Sequence, residues 1–205
     1  MAGVQAGDDG RARCPWGLAP PEYREYHDQE WGRPVDDDRA VFEKLCLEGF
    51  QAGLSWLTIL RKRPGFRQAF AGFDPAAVAR FDDGDVDRLL ADPGIVRHRA
   101  KILATIANAR AAVRLADQGV SLAGLVWSYQ PPARPAPTTT GDVAGSTPES
   151  KALSADLRRR GFRFVGPTTV YSSMQSLGVV DDHLEGCHLR AAVEADRRAF
   201  RPPAV

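Results

Sequence analysis

Between residues 36 and 178 the apolar positions recur mostly at intervals of three and four, the spacing of one face of an α-helix. After the acidic run at 36–38, Val41, Phe42, Leu45 and Cys46 share one side, so a helix with an aspartate N-cap is expected there. Gly49 and Gly53 predict a kink or break. A second helix is expected over about 54–62, stopped by Pro64. Asp74-Pro75 has the form of a cap followed by a first-turn proline and opens a short helix through Val78. Residues 85–92 form a helix closed by Pro93-Gly94, and 95–117 a long one with Ile102, Ile106, Ala109 and Val113 in register. The helix over 150–160 ends at Gly161, and Pro167 and Gly178 bound the last strong one. Strand-type alternation is almost absent, and "FRFVG" (162–166) is too short to seed a sheet. Residues 130–150, rich in Pro, Thr, Gly and Ser, read as a long surface connection. The pattern predicts an all-α protein with a disordered extension at 1–12, one helical domain at 13–190 and a tail at 191–205.

Composition narrows the class without naming a function. With 43% hydrophobic and 26% charged residues among 205, the chain is ordinary globular protein. No apolar run reaches the roughly 20 residues of a membrane helix, and the N-terminus has no apolar core of a secretory signal. A cytosolic protein with no membrane partner is expected. The formal net charge is only +1, but basic residues cluster at 61–67, 97–101 and 158–163. Each cluster alone is most simply a solvated helix end. Three cysteines argue against a disulfide framework and cannot supply the four thiolates of an iron–sulfur cluster.

Three features carry chemistry. Cys14 and His27 are separated by twelve residues, and His183 and Cys187 by three. Together they can form a tetrahedral zinc shell, with His183 and Cys187 on one side of a helical turn, tying the two ends of the chain together. Two unrelated Cys/His pairs are the alternative, and His188 competes with His183. The stretch "LLADPGIVRHRAKI" (89–102) reads as helix, glycine turn and basic helix. Gly94 suits such a turn, and Arg97, Arg99 and Lys101 suit a DNA phosphate at the helix start. An ordinary hairpin with a basic face is the alternative. Lastly, Glu48 lies in the apolar run "VFEKLCLEGFQAGLSWLTILR" (41–61), where a carboxylate is expensive unless something pairs with it. A bond to Lys44 one helical turn earlier would be the ordinary solution.

Taken with their neighbours, these residues resemble the 3-methyladenine DNA glycosylase I family, within the helix-hairpin-helix glycosylases. The matching text is "RCPWG" (13–17), "YREYHDQEWGRP" (23–34), "FEKLCLEGFQAGLSWLTILRKR" (42–63), "GIVRHRAKI" (94–102), "LVWSY" (125–129), "SKALSADLRRRGFRFVGPT" (150–168) and "YSSMQSLGVVDDHLEGC" (171–187), in the family's order. The resemblance implies two packed helical lobes with a zinc clip joining the N- and C-terminal segments. One structural Zn²⁺ per chain is implied at Cys14, His27, His183 and Cys187. It places Glu48 in a base pocket, accepting hydrogen bonds from the damaged adenine, with Tyr26, Trp56, Trp16 and Tyr23 around the base. Methylation at N3 makes that adenine cationic, which favours a carboxylate and aromatic faces. DNA contacts are implied at Gly94, Arg97, Arg99 and Lys101, with Leu54 as a wedge.

The implied reaction is hydrolysis of the N-glycosidic bond of 3-methyladenine in alkylated double-stranded DNA, by a monomer that releases the base. Many relatives in the wider superfamily place an aspartate after the hairpin helix. Here that stretch offers only Asp117, too far along, so a monofunctional enzyme without a lyase step is expected. Phe50 departs from a common family form that carries a polar residue there. The rival reading is a zinc-stabilised DNA-binding protein of the same fold that does no chemistry.

Overall fold

The computed structural model describes residues 2–205 as ten α-helices and one small strand pair. The helices are α1 (Pro21–Gln29), α2 (Asp38–Gln51), α3 (Trp56–Ala69), α4 (Pro75–Val78), α5 (Asp83–Ala91), α6 (Arg99–Asp117), α7 (Leu122–Trp127), α8 (Pro148–Arg159), α9 (Pro167–Ser176) and α10 (Arg190–Ala199). The strands β1 (Gln5–Ala6) and β2 (Ala12–Arg13) pair antiparallel.

Helix α2 is the hub. Asp37 caps it by accepting from the Ala40 N–H, and every residue from Val41 to Phe50 is buried, the charged ones included. A helix buried on all sides can only run through the middle of a protein. It packs on α3 and α6 on one side and on α7 and α9 on the other. Helices α4 and α5 complete the first group and α8 the second, and one continuous apolar core joins them. Phe50, Phe66, Phe70 and Phe73 form a run of ring contacts 4.6–5.9 Å apart under the first group.

The structure moves several expected boundaries. Gly49 does not break α2, because a Cβ there would press on Phe164, and the missing side chain lets the 162–166 loop seat against the helix. Pro64 does not stop α3, which runs on to Ala69. One backbone bond is lost at Pro64, but Phe66 and Ala69 beyond it are buried in the core. Gly65 is required as glycine, since a Cβ would lie 2.5 Å from the Gly94 carbonyl oxygen. Helix α6 begins at Arg99, four residues later than expected, because the His98 side chain caps it. Helices α1, α7 and α10 are additions to the expected set.

Both ends are better built than their composition suggests. Arg13 is fully buried and pairs with Asp9 and Asp28, which anchors β1 and the turn after it, within the 1–12 segment expected to be disordered. The segment expected as a tail holds α10, which buries Val193. It continues to Ala204, whose backbone lies so close to Gly124 that no side chain would fit there.

Candidate active site and metal centre

A cavity of about 340 Å³ opens among α1, the end of α2, the start of α3 and α9. Trp16, Tyr23, Tyr26, Trp31 and Trp56 line it, with Glu48 on its wall and Gln51, Ser172, Gln175 and Asp182 as further polar groups. The rings brace one another: Trp16 meets Tyr23 edge-on at 6.0 Å, and Tyr26 lies 5.5 Å from Trp56. The Tyr23 hydroxyl accepts from the Leu57 N–H at 2.9 Å, fixing α1 against the start of α3. All four aromatic residues expected around a base are therefore on one cavity.

Glu48 is 5% exposed, and among the described residues no group donates a hydrogen bond to its carboxylate. Lys44, one turn earlier, does not pair with it. The Lys44 ammonium instead bonds to Glu30 and sits 4.7 Å from the centre of the Tyr26 ring. Arg63 also binds Glu30 and reaches Glu43, both at 2.7 Å. Burial opposes charge on Glu30, but Lys44 and Arg63 hold its carboxyl down to about 2. Glu48 has no such support. Burial pushes its carboxyl up to about 8, with Lys44 pulling weakly the other way. The cavity thus presents an unpaired carboxylate ringed by π faces, which a cationic planar donor would satisfy. Burial likewise raises the Tyr26 hydroxyl well above its ordinary value, with Glu48 and Glu30 adding to the effect.

Next to this cavity lies the Cys/His group. Cys14, His27, His183 and Cys187 are all buried, and one donor atom from each lies within 4.8 Å of the others. The Cys187 sulfur is 3.6 Å from His27 Nε2 and 3.5 Å from His183 Nδ1, and the Cys14 sulfur is 3.9 Å from His183 Nδ1. Zinc–sulfur and zinc–nitrogen bonds of ~2.3 and ~2.0 Å at a tetrahedral angle place such atoms about 3.5 Å apart. The outer ring nitrogens are committed elsewhere. His27 Nδ1–H donates to Asp28 at 2.8 Å, and His183 Nε2–H to the Trp31 carbonyl at 3.1 Å. This fixes which nitrogen of each ring faces inward, as metal ligands require. The two sulfurs share one proton: hydrogen bonding with Cys14 holds the Cys187 thiol far below its ordinary value, and the same bond drives Cys14 far above, so one ionises only while the other stays protonated. A divalent cation between them would remove that conflict. The donor set fits a metal ion. His188 is not part of the group; its Nδ1 contacts the Ala12 carbonyl. Nor do His183 and Cys187 ride on a helical turn, for their segment is a loop turned by Gly186 at φ +82°.

The helix–turn–helix expected over 89–102 is present as α5, a loop over 92–98, and α6. Gly94 is there for room and not for a left-handed backbone: a Cβ would meet the Asp92 carboxylate at 2.9 Å, which accepts from the Gly94 N–H. Arg97 and Arg99 are exposed. Lys101 is not available to a phosphate. It is buried and donates to the carbonyls of Phe50 and Ala52 at 2.8 and 2.6 Å, closing the end of α2. Leu54 stands on the loop beyond that end, 42% exposed.

The methyladenine glycosylase family model matches residues 16–191. This chain belongs to the methyladenine glycosylase family. It is 49% identical over 178 residues to DNA-3-methyladenine glycosylase 1 of Escherichia coli (strain K12), covering 85% of this chain and 95% of that one. A crystal structure of 3-methyladenine DNA glycosylase I matches it with a TM-score of 0.83 at 48% identity, over 86% of this chain and 98% of that one. The Staphylococcus aureus enzyme, solved to explain 3-methyladenine recognition, matches with a TM-score of 0.81 at 37% identity, over 87% and 96%.

Several cavity residues of this family member escape a sequence reading. Ser172 and Gln175 lie three positions apart on α9, a spacing that puts them on one face, and could have been flagged. Asp182 could not: its carboxylate is held by Arg134, the Tyr171 hydroxyl and Gln175, partners scattered from 134 to 175.

Proposed function

We propose that this protein is a DNA base-excision glycosylase that hydrolyses the N-glycosidic bond of 3-methyladenine in alkylated double-stranded DNA. The observation that carries this reading is the unpaired Glu48 carboxylate inside an aromatic cavity. Methylated adenine in DNA is a flat cation with hydrogen-bond donors on its edge. Glu48 accepts those donors, and Tyr26, Trp56 and Trp16 supply faces for the charge. Unmodified adenine is neutral and leaves the buried carboxylate without a counter-charge, so the cavity selects the lesion.

The chemistry needs little else. The bond between the base nitrogen and C1′ breaks, and its electron pair neutralises the ring. A water oxygen bonds to C1′ and gives up a proton. The protein must draw the nucleotide out of the helix and hold the base. The loop over 92–98, with Arg97, Arg99 and the backbone around Gly94, positions the DNA backbone in helix-hairpin-helix fashion, and Leu54 acts as the wedge. Among the described residues no lysine lies free at the cavity, since Lys44 is bound to Glu30, which supports a monofunctional enzyme with no lyase step. Asp117 closes the far end of α6, exposed and away from the cavity wall. Cys14, His27, His183 and Cys187 would hold one Zn²⁺ with no open position, a structural ion that braces α1 behind the cavity. We take the domain to be residues 13–190, with β1 and α10 as additions packed on it, and the protein to act as a monomer.

Incubating the zinc-loaded protein with methylated duplex DNA and identifying the released bases by chromatography tests the reading. Release of 3-methyladenine by the wild type, strongly reduced in Glu48→Gln, is the expected result. No release from the folded protein would overturn it.

A further inference from the structure

We infer that Phe164 is a second apolar probe into duplex DNA, seated beside Leu54 and stacking on a base at the gap left by the extruded nucleotide. This rests on the glycosylase reading above. Among the described residues, three that are not glycine have positive φ: Ala71 at 50°, Phe73 at 58° and Phe164 at 55°. A bulky side chain adopts that conformation only when its surroundings impose it. For Phe73 the compensation is plain, because it is completely buried against Phe42 and Phe70. Phe164 gains nothing comparable, for it is 41% exposed.

The loop nevertheless holds it there firmly. The buried Asn108 side chain accepts from the Arg163 N–H at 2.7 Å and donates to the Arg163 carbonyl at 3.1 Å. Ser154 donates to the Val165 carbonyl at 2.6 Å. Phe162 and Val165 on either side are buried, so the chain is pinned around Phe164 while its ring is turned out. A strained backbone locked in place to expose an aromatic ring is a feature to be explained by what the ring meets.

Its position says what that is. Gly49, directly after Glu48, faces Phe164, and a Cβ on it would lie 3.3 Å from the Phe164 Cβ. The ring therefore stands at the end of α2, the same end from which the Leu54 loop departs and to which Lys101 is bonded. The exposed cations Arg163, Arg97 and Arg99 belong to this surface's own segments, matching a phosphate-lined partner. Duplex DNA opened at one nucleotide offers unstacked base faces beside phosphates, and an aromatic ring recovers that stacking whatever the base.

The test compares Phe164→Ala, Phe164→Trp and Phe164→Gly in the full zinc-loaded chain. Phe164→Ala should lower kcat/KM on methylated duplex roughly ten- to a hundredfold, the size of one lost base–aromatic stack. It should leave binding of free 3-methyladenine, followed by tryptophan fluorescence, unchanged. Phe164→Trp should recover most of the loss. A 2-aminopurine placed opposite an abasic-site analogue should change its emission when wild type binds, and not with Phe164→Ala. Phe164→Gly, relieved of strain, should melt no lower than wild type while losing activity like alanine. Wild-type-like duplex activity and emission in Phe164→Ala would overturn the inference, as would an equal loss of free-base binding. If the wild type releases no base, the glycosylase reading fails instead, and the emission of the bound duplex still decides Phe164.

Discussion

Two buried polar centres lie side by side in this molecule and are built on opposite rules. In the Cys14/His27/His183/Cys187 group each imidazole has its outer nitrogen bonded to a carboxylate or carbonyl, and four inward donors converge. In the neighbouring cavity Asp182 is held by three donors, but the Glu48 carboxyl has none. Helix α1 serves both, with Tyr23 and Tyr26 on the cavity and His27 in the cluster, and Trp31 lies 4.6 Å from the His183 ring. The difference teaches how a small protein keeps an unpaired carboxyl group ready for a ligand. The instability tolerated at Glu48 is confined by a rigid, fully committed centre beside it.

Breaking the committed centre should have the largest effect. Stripping metal with a strong chelator, or Cys187→Ser, should lower the melting temperature by about 10 °C or more, because structural zinc contributes folding energy outright. A melt unchanged by chelation of metal-loaded protein would sink the metal assignment. Next comes Glu48→Gln, expected to reduce kcat/KM roughly a hundredfold through lost charge-assisted hydrogen bonds. Its stability should move the other way. Since the folded carboxyl titrates near 8 and an unfolded one near 4.5, the folded state holds the extra proton between those values. Wild-type stability should fall as pH rises through that window, while Glu48→Gln should not follow, opening a gap of roughly a few kcal/mol by pH 9. Parallel melting curves for the two proteins across pH would contradict this.

A finer comparison concerns pH and rate. On the proposed reading a cationic base pairs with the ionised carboxylate, so kcat/KM should climb up to about pH 8 and level off above it. Lys44→Met removes the one nearby charge favouring ionisation and should move that rise to higher pH, with a few-fold loss at pH 7. A profile left in place would mean that Lys44 serves Glu30 alone. The smallest expected difference separates two neighbours on the hairpin. Arg97→Ala should weaken DNA binding a few-fold and flatten its salt dependence without changing the melt, whereas Lys101→Ala should lower the melt. Identical behaviour would erase the distinction.

What could be read from the sequence divides along the same line. The helices with caps written locally were legible: Asp37 before α2, Asp74-Pro75 at α4 and Gly161 after α8. Pro64 misled because its neighbours' burial outweighs one missing bond, and the start of α6 because a histidine capped it. The cluster residues were identifiable because sulfur and imidazole are rare and chemically restrictive. The state of Glu48 was not, since Lys44 at the favourable helical spacing turns to Glu30, fourteen positions away. Lys101 looked like its arginine neighbours and was told apart only by the α2 carbonyls it meets. Helix α10 escaped notice because its apolar face is essentially one valine.

The placement of the four cluster residues also has a mechanical side. Cys14 and His183 are 169 positions apart, yet their donor atoms nearly touch. With a metal held there, tension applied through the flanking segments would pass from Cys14 to Cys187 by coordination bonds, and the helices between them would carry almost none of it. Stretched between its ends, the chain should therefore give way abruptly at the cluster, and only afterwards should the helical body lengthen.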